Sequence, residues 1–243
     1  MNLQNAKVLI TGGNSGIGAA VAEILIASGA KVAISGRNLE KLEAVAAKIG
    51  AVAIQADVNN EADVTNMVQT AVEKLGGLNV LINNAGYGYM APLVDINPKE
   101  FEEVWRTNVY GLMLTAQAAS RVFIAQKHGN IVNIASTAAL NGGANISPYN
   151  ATKFAVRGMT EAWRGELRPH NIRVMLVNPS EVMTSFAENL LSNSGKTPKV
   201  YTENEQATKL RGEEIAQVIK GLLEMDDRGF VTEATVFATN PKV

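Results

Sequence analysis

Tyr149 and Lys153 lie four residues apart in the stretch SPYNATKFA, where the pattern predicts the start of a helix. Residues at positions i and i+4 of a helix share one face, so the phenol and the ammonium group would be neighbours. A free tyrosine has a pKa of about 10, which is too high for easy proton exchange near neutral pH. A nearby positive charge lowers that pKa, so the pair is suited to general acid–base chemistry. Taken alone, such a pair also occurs by chance on helix surfaces.

Two further polar residues precede this pair. Ser136 ends the apolar run GNIVNIAS, thirteen residues before Tyr149, and its hydroxyl beside a phenol could hold a carbonyl oxygen in place. Asn108 lies in the helical pattern EEVWRTNVYGLMLTAQAA, where asparagine is a poor helix former. We expect its amide to bind backbone groups or a water, which would suit a proton relay. The alternatives are a helix cap for Ser136 and a packing role for Asn108.

Short apolar runs alternate with longer helical patterns along the whole chain of 243 residues. Strand followed by helix, repeated, indicates parallel strands with right-handed crossovers, and strands without polar alternation are typical of a sheet covered on both faces. The sequence therefore predicts an α/β fold: a Rossmann-type doubly wound parallel sheet of six or seven strands with helices on both faces, in a single domain. The predicted strands are residues 7–11, 31–35, 52–57, 78–86, 129–136, 172–180 and, as a seventh candidate, 230–238.

Glycines cluster where the first strand meets the first helix, in TGGNSGIGAA. Glycine lets the backbone approach a ligand closely, and a helix N-terminus offers N–H groups to a phosphate. The spacing is not G-x-G-x-x-G, and a tight structural turn is the alternative for a glycine cluster alone. Its place after the first strand favours a dinucleotide site, with these candidate cofactor residues: Gly12, Asn14, Ser15, Gly16, Ile17 and Gly18.

The end of the second strand, ISGRN, indicates which dinucleotide is bound. Gly36 stands where an NAD site usually has an acidic residue. Arg37 follows and can offer forked donors to a 2′-phosphate, while Asn38 can add a hydrogen bond. We therefore predict NADP(H) as the cofactor; a surface arginine with no ligand is the alternative.

Two more strand ends supply candidate cofactor residues. Asp57, followed by Val58, could accept from the adenine amino group or could cap the next helix. In NNAG, the small residues Ala85 and Gly86 would let the backbone pass beneath the cofactor. The asparagines of this motif, including Asn84, would brace neighbouring strands.

Together these ordered motifs resemble the short-chain dehydrogenases/reductases, from residue 7 to about residue 184. TGGNSGIG resembles the family's glycine motif, NNAG its fourth-strand motif and YNATK its Y-x-x-x-K motif. The resemblance implies that Tyr149 donates a proton to the substrate carbonyl and that Lys153 binds the nicotinamide ribose and lowers the tyrosine pKa. It also implies that Ser136 holds the substrate oxygen and that Asn108 supports a water-linked relay to Lys153.

The segment NPSEVMT is similar to the family's P-G-x-x-x-T segment. By that resemblance, Pro179, Val182 and Thr184 would lie at the nicotinamide. Ser180 replaces the usual glycine, which makes the local turn geometry a point to examine. The polar, turn-rich residues 184–212 are predicted to form a substrate lid, with a variable surface insertion as the alternative.

The expected reaction is hydride transfer between NADP(H) and a carbonyl or secondary alcohol. The chain resembles 3-oxoacyl-carrier-protein reductases and 3-hydroxy acid dehydrogenases about equally, although its ending, RGFVTEATVFATNPKV, lacks the glycine-rich pattern usual in the former. A non-enzymatic NADP(H)-binding sensor and an epimerase or dehydratase on the same fold are the alternatives. The candidate substrate residues carry no fixed charge for a carboxylate; they are Ser136, Ala138, Tyr149, Ser180 and Phe186.

Composition argues against several other classes. Lysine plus arginine number 22 against 23 acidic residues, so no charge footprint for nucleic acid or an anionic membrane is present. No apolar run reaches the 18 residues typical of a spanning helix, and we take the cytoplasm as the default location. With two histidines and no cysteine, we expect no His/Cys zinc site, and we predict no metal, although residue counts leave a carboxylate magnesium site as the alternative. The helical segments 98–126 and 149–167 are more apolar than one sheet face requires, so we expect a homo-oligomer, either a dimer or a homotetramer.

Overall fold

The computed structural model describes residues 1–186, 190, 194, 202 and 208–239. Seven parallel strands form one sheet in the order β3-β2-β1-β4-β5-β6-β7, which confirms the predicted doubly wound fold. The strands are β1 Lys7–Thr11, β2 Lys31–Gly36, β3 Val52–Gln55, β4 Val80–Asn83, β5 Gly129–Ile134, β6 Ile172–Pro179 and β7 Glu233–Val236.

Helices cover both faces of this sheet. One face packs against α1, α2 and α7, and the other against α3, α5 and α6. The helices are α1 Gly16–Ala27, α2 Leu39–Ile49, α3 Glu61–Leu75, α4 Pro98–Trp105, α5 Leu112–Gln126, α6 Ser147–Leu167 and α7 Gly212–Glu224.

The apolar runs are continuous because each strand is buried on both faces. In β1, the Val8 and Ile10 side chains join the core beneath α1 and α7, while Leu9 joins the core beneath α3 and α5. All three side chains are fully buried, and each such burial contributes about 1.5–3 kcal/mol. Burial on both sides therefore removes the polar alternation that a half-exposed strand would show.

Asparagine side chains begin three of the helices and decide between the two alternatives for Asp57. Asn38, Asn60 and Asn97 each accept hydrogen bonds from first-turn backbone N–H groups of α2, α3 and α4. Because Asn60 caps α3, the cap interpretation of Asp57 is wrong. Asp57 Oδ1 instead accepts from Asn59 N at 3.0 Å, which shapes the turn before the cap.

The predicted helix over residues 98–126 is interrupted. A π-helical turn, Arg106–Gly111, separates α4 from α5. Gly111 packs closely against the turn that follows β3. A Cβ on Gly111 would lie 2.8 Å from Val58 Cγ2. Such turns insert one extra residue and occur often at functional sites, and this one contains Asn108.

Most of the predicted lid, residues 184–212, lies outside the described residues. The parts within them are residues 184–186, 190, 194, 202 and 208–212. Leu210 forms an isolated parallel bridge with Val182, and α7 follows. None of the helices in the described part of the chain is both long and apolar enough to cross a membrane.

Candidate active site

The carboxyl ends of the strands open onto a cleft of about 1090 Å³. It extends from Asp57, after β3, across the glycine turn and β5 to Ser180, after β6. Every predicted site residue lines this cleft except Gly18 and Asn108. The carboxyl edge of a parallel sheet is where open α/β folds bind their ligands, so the predicted residues meet at the expected place.

The glycine turn leaves the first turn of α1 open toward the cleft. Gly12 and Gly16 have φ values of +63° and +53°, a conformation that favours glycine. Ser15 precedes α1 in an extended conformation and its side chain makes no cap hydrogen bond, and the first turn holds no acidic residue. The first N–H groups of α1 are therefore available to an anion.

Gly18 supports the turn from behind and does not contact the cleft. A Cβ at this position would lie 2.4 Å from Gly12 O and 2.5 Å from Asn84 Nδ2. A side chain at this position is therefore excluded, while the backbone N–H of Gly18 belongs to the first turn of α1. The role of Gly18 is close packing between α1 and the ends of β1 and β4.

The end of β2 presents two cations and one unpaired hydroxyl. Arg37 and Lys41 both line the cleft, and within the described residues neither side chain has a hydrogen-bond or ion-pair partner. The hydroxyl of Ser35 is buried, lines the same cleft and has no partner there either. Asn14 occupies the space above Gly36 where an acidic side chain would stand, since a Cβ on Gly36 would lie 3.3 Å from Asn14 Cγ.

Asparagines brace the strand ends, as the NNAG motif predicted. Asn84 Nδ2 donates to Thr11 O and Gly12 O, both at 3.0 Å, and the Thr11 hydroxyl accepts from the backbone of Asn84. Asn83 Nδ2 donates to Asn133 Oδ1 at 3.0 Å. The first pair joins β1 to β4 and the second joins β4 to β5, which confirms the bracing role.

Tyr149, Lys153 and Ser136 meet where β5 ends and α6 begins. The Ser136 hydroxyl accepts from Ala138 N at 3.1 Å and lies close enough to the Tyr149 phenol to favour its ionised form. Lys153 is buried, donates from Nζ to Ile134 O at 3.0 Å and lies 5.5 Å from the centroid of the Tyr149 ring. The phenol, the ammonium group and the serine hydroxyl are therefore neighbours, as predicted.

The pKa of Tyr149 is raised in this structure, not lowered by Lys153 as expected. Burial raises the pKa of Tyr149 above its usual value, and the nearby Ser136 hydroxyl partly opposes that rise. Burial also lowers the pKa of Lys153 from 10.5 to about 8, because the site is poorly solvated. A lysine that is neutral in part near pH 8 supplies less positive charge to the phenol.

Asn108 lies behind the cleft and its amide is committed to neighbouring segments. Oδ1 accepts from Tyr87 N at 2.7 Å, and Nδ2 donates to Tyr87 O at 2.9 Å and to Thr152 Oγ1 at 3.1 Å. The expectation that this amide binds backbone groups is confirmed. Its side chain does not line the cleft, so direct contact with a ligand is not supported.

Ser180 fits its turn without strain. The described residues with a left-handed backbone and a side chain are Lys127, Asn145 and Asn171, so Ser180 needs no glycine-like conformation. Its N–H donates to Val236 O at 2.9 Å, which extends the pairing of β6 with β7. Pro179, Ser180, Val182 and Thr184 then follow the cleft wall toward the glycine turn.

The described lid residues lie against the segment after NNAG. The ring of Phe186 is 5.7 Å from that of Tyr149, between centroids. A Cβ on Gly88 would lie 2.8 Å from Leu190 Cδ1 and 3.0 Å from Phe186 Cζ. Met90 N donates to Ser194 Oγ at 2.9 Å. The Phe186 ring therefore lies beside the phenol.

Three residues with clear structural roles were not predicted. Lys41 is the third residue of α2, and its backbone N–H donates to the Asn38 cap, a position that the sequence could have suggested. Tyr87 follows NNAG, lines the cleft and donates its hydroxyl to Glu100 Oε2 at 2.6 Å. Asn150 follows Tyr149 and binds the preceding loop, and no local pattern indicates that contact.

These features define an α/β protein with a doubly wound sheet and a cleft at the carboxyl ends of its strands. A family model described as "short chain dehydrogenase" matches residues 6–195. The chain therefore belongs to the short-chain dehydrogenase family, and it is an oxidoreductase of that family. This confirms the resemblance carried by the sequence motifs.

Known proteins of this family are similar along almost the whole chain. Oxidoreductase asL5 of Sarocladium schorii is 30% identical over 236 residues, which cover 96% of this chain and 94% of that protein. A 3-ketoacyl-(acyl-carrier-protein) reductase from Brucella melitensis, complexed with NADH, is 30% identical with a TM-score of 0.86 and 96% coverage of both chains. A variant of actinorhodin polyketide ketoreductase with NADPH is 26% identical with a TM-score of 0.87 and 98% coverage of both chains.

The lowered pKa of Lys153 makes a prediction about stability. Between pH 8 and 10.5 the unfolded chain holds more protons on this group than the folded one, so its contribution to stability rises with pH. Lys153→Met removes this titration. In cofactor-free protein, the stability of the wild type relative to Lys153→Met should rise by about 2 kcal/mol between pH 7 and 9.5.

Thermal or denaturant unfolding at each pH measures this difference. Lys48→Met, which alters an exposed lysine in the last turn of α2, is the matched control and should follow the wild type. If the stabilities of the wild type and Lys153→Met changed in parallel with pH, burial would not lower the pKa of Lys153.

Proposed function

We propose that this protein transfers a hydride between NADP(H) and a carbonyl or secondary alcohol, with Tyr149 as the proton donor. The observation that carries the proposal is the position of the Tyr149 phenol, which lies beside the Ser136 hydroxyl and has Lys153 Nζ 5.5 Å from its ring centroid, in the cleft that starts at the glycine turn. The complete set of polar groups favours catalysis over a sensor that only binds cofactor. We take residues 1–243 as one catalytic domain.

Each group of the site has a role in this reaction. The Ser136 hydroxyl holds the substrate oxygen beside the phenol, and Tyr149 donates its proton to that oxygen during reduction. Lys153 binds the ribose next to the nicotinamide, and when charged it favours the phenolate. Asn108 holds Tyr87 and Thr152 and so supports the surroundings of Lys153. The cofactor supplies or accepts the hydride.

The chain's own residues fit a phosphorylated adenosine ribose. The unpaired hydroxyl of Ser35 and the cations of Arg37 and Lys41 lie together at the end of β2, where an NAD-specific protein would carry an acid. Two cations and a buried hydroxyl suit a 2′-phosphate, because guanidinium and ammonium groups donate charge-assisted hydrogen bonds. The similar structures include one with NADH and one with NADPH, so the preference for NADP(H) is argued from these residues alone.

The remaining cofactor residues follow from the shape of the cleft. The open N-terminus of α1 suits the pyrophosphate, with Gly12, Asn14, Ser15, Gly16 and Ile17 around it. Asp57 and Val58 would lie at the adenine, and Asn84, Ala85 and Gly86 beneath the ribose. Pro179, Val182 and Thr184 would meet the nicotinamide.

The substrate is proposed to be of the 3-oxoacyl or 3-hydroxy acid type, with the neutral forms favoured. The described wall around Tyr149 includes the apolar side chains of Ala138 and Phe186 and the hydroxyl of Ser180. None of these carries a charge for a carboxylate. The similar ketoacyl reductase and polyketide ketoreductase support a ketone carbonyl as the reacting group. Neutral 3-oxo esters with NADPH are therefore the assay substrates of choice.

Tyr149→Phe tests the proton donor. Removal of the hydroxyl should lower kcat for a 3-oxo ester by about 100-fold or more, since general acid catalysis contributes about 10²–10⁴-fold. NADPH affinity, measured by fluorescence titration, should change little. The control is Tyr110→Phe, which removes a surface hydroxyl bonded to Glu61 and should leave kcat unchanged. Near-normal turnover by Tyr149→Phe would refute the assignment.

Arg37→Asp tests the cofactor choice. The wild type should have the higher kcat/KM with NADPH, and the variant should prefer NADH, because a carboxylate repels the 2′-phosphate and can accept from a 2′-hydroxyl. Lys48→Asp makes the same charge change at the exposed far end of α2 and should keep the NADPH preference. A wild type that prefers NADH would overturn the NADP(H) proposal.

The chain is proposed to form a homo-oligomer, a dimer or a homotetramer, through α4 and α6. These helices pack together and expose Phe101, Trp105 and Phe154 by 37%, 40% and 46%. Light scattering should give a multiple of the 25.9 kDa chain mass, and the double variant Trp105→Glu, Phe154→Glu should shift it to a smaller species. A wild-type monomer would contradict this proposal.

A further inference from the structure

The loop between β5 and α6 forms one wall of the cleft beside Tyr149. Ala138, Asn141, Gly142, Gly143 and Ile146 of this loop line the cleft. Ala138 in this wall is one of the proposed substrate residues, so the wall borders the proposed substrate site. Its distance from Tyr149 would therefore set the width of the substrate site.

One buried side chain holds this wall from behind. Asn150, which is 6% exposed, accepts from Gly143 N at 3.0 Å through Oδ1. Its Nδ2 donates to Ala138 O at 2.8 Å and to Asn141 O at 3.0 Å. Both donors of the amide are used, and the three bonds join both limbs of the loop to the first turn of α6.

The loop has little else to define its shape. Among the described residues, the other hydrogen bond to residues 141–145 runs from Ile146 N to Gly143 O and is long, at 3.5 Å. A Cβ on Gly142 would meet no atom within 4 Å, whereas Gly143 packs against the side chain of Ile146. The side chain of Asn150 therefore supplies the principal hydrogen bonds that restrain this part of the wall.

We propose that Asn150 is a positioning residue that sets the width of the substrate site. Asn150 directly follows Tyr149 in α6. The wall that it binds is therefore held at a fixed position relative to the Tyr149 phenol. The side chain touches neither of the proposed reacting groups and acts through the loop. This proposal rests on the proposed function, since it concerns which carbonyl compounds reach Tyr149.

Asn150→Ala provides the test, with steady-state kinetics on two neutral esters, ethyl acetoacetate and the bulkier ethyl benzoylacetate. Loss of the restraint should raise KM for the small ester about tenfold while kcat changes less than threefold. The ratio of kcat/KM for the bulky ester to that for the small one should rise at least fivefold. The Kd for NADPH should stay as in the wild type, because the cofactor end of the cleft is untouched.

Asn79→Ala is the matched control. Asn79 accepts from Lys7 N and donates to Asn5 O, so it also holds backbone groups of another segment, but at the amino end of the sheet. This variant should lose thermal stability without any change in KM or in ester preference. Equal shifts in both variants, or wild-type KM and ester preference in Asn150→Ala, would overturn the proposal.

A second variant separates positioning from misfolding. Asn150→Asp keeps the size of the side chain and the acceptor for Gly143 N, but it sets carboxylate oxygens against Ala138 O and Asn141 O. The same KM increase should appear and should shrink as the pH falls and the carboxyl regains a proton that it can donate. A pH-independent KM equal to that of the wild type would contradict the role of the two donated bonds.

Hydrogen exchange distinguishes failure of this proposal from failure of the proposed function. In cofactor-free Asn150→Ala, amides of residues 138–146 should exchange faster than in the wild type and in Asn79→Ala. If the wild type reduced neither ester with NADPH or NADH, the proposed function would fail, while exchange would still decide whether Asn150 holds the wall. Unchanged exchange in Asn150→Ala would overturn that part.

Discussion

The close contact between the carboxyl ends of β1 and β4 is the constraint on which the rest of the site depends. Asn84 Nδ2 donates to the carbonyls of both Thr11 and Gly12, and Gly18 has to lack a Cβ because Asn84 Nδ2 and Gly12 O lie against it. These strands are neighbours at the point where the order of the sheet reverses, and such a point opens a crevice for ligands. The backbone at the ends of β1 and β4 thus forms the floor of the cleft, and the side-chain amide of Asn84 holds it in place.

A second set of buried amides holds α6 against the sheet and so positions the acid–base pair. Asn83 donates to Asn133, and Asn133 Nδ2 donates to Thr160 Oγ1 on α6 at 2.9 Å. Lys153 adds its bond to Ile134 O from the same helix. Buried polar groups must find partners, and each pairing allows essentially one rotation and one depth for α6. The position of the phenol relative to the strand ends therefore follows from contacts outside the cleft.

Charge is distributed unevenly along the cleft, and this suits its two proposed ligands. Arg37 and Lys41 lie without partners in the described residues at one end, where a phosphate would be bound. At the other end, Lys153 is buried with a pKa lowered to about 8, beside a phenol whose pKa is raised by burial. A bound cofactor changes the surroundings of both groups. The relative effects of Ser136 and Lys153 on the Tyr149 pKa are therefore set only when the cofactor is bound.

The sequence by itself determined the parallel sheet, the glycine turn and the set of residues at the strand ends. Those properties depend on local periodicity and on the rule that parallel strands end at one edge. Only the tertiary structure decided that Gly18 packs behind the glycine turn and that Asn108 binds the backbone of Tyr87. It also decided that Lys41 lines the cleft together with Arg37 and that Asn150 binds the loop between β5 and α6. Each of these depends on side-chain contacts between elements whose relative depth and rotation are set by packing, and no spacing along the chain records that geometry.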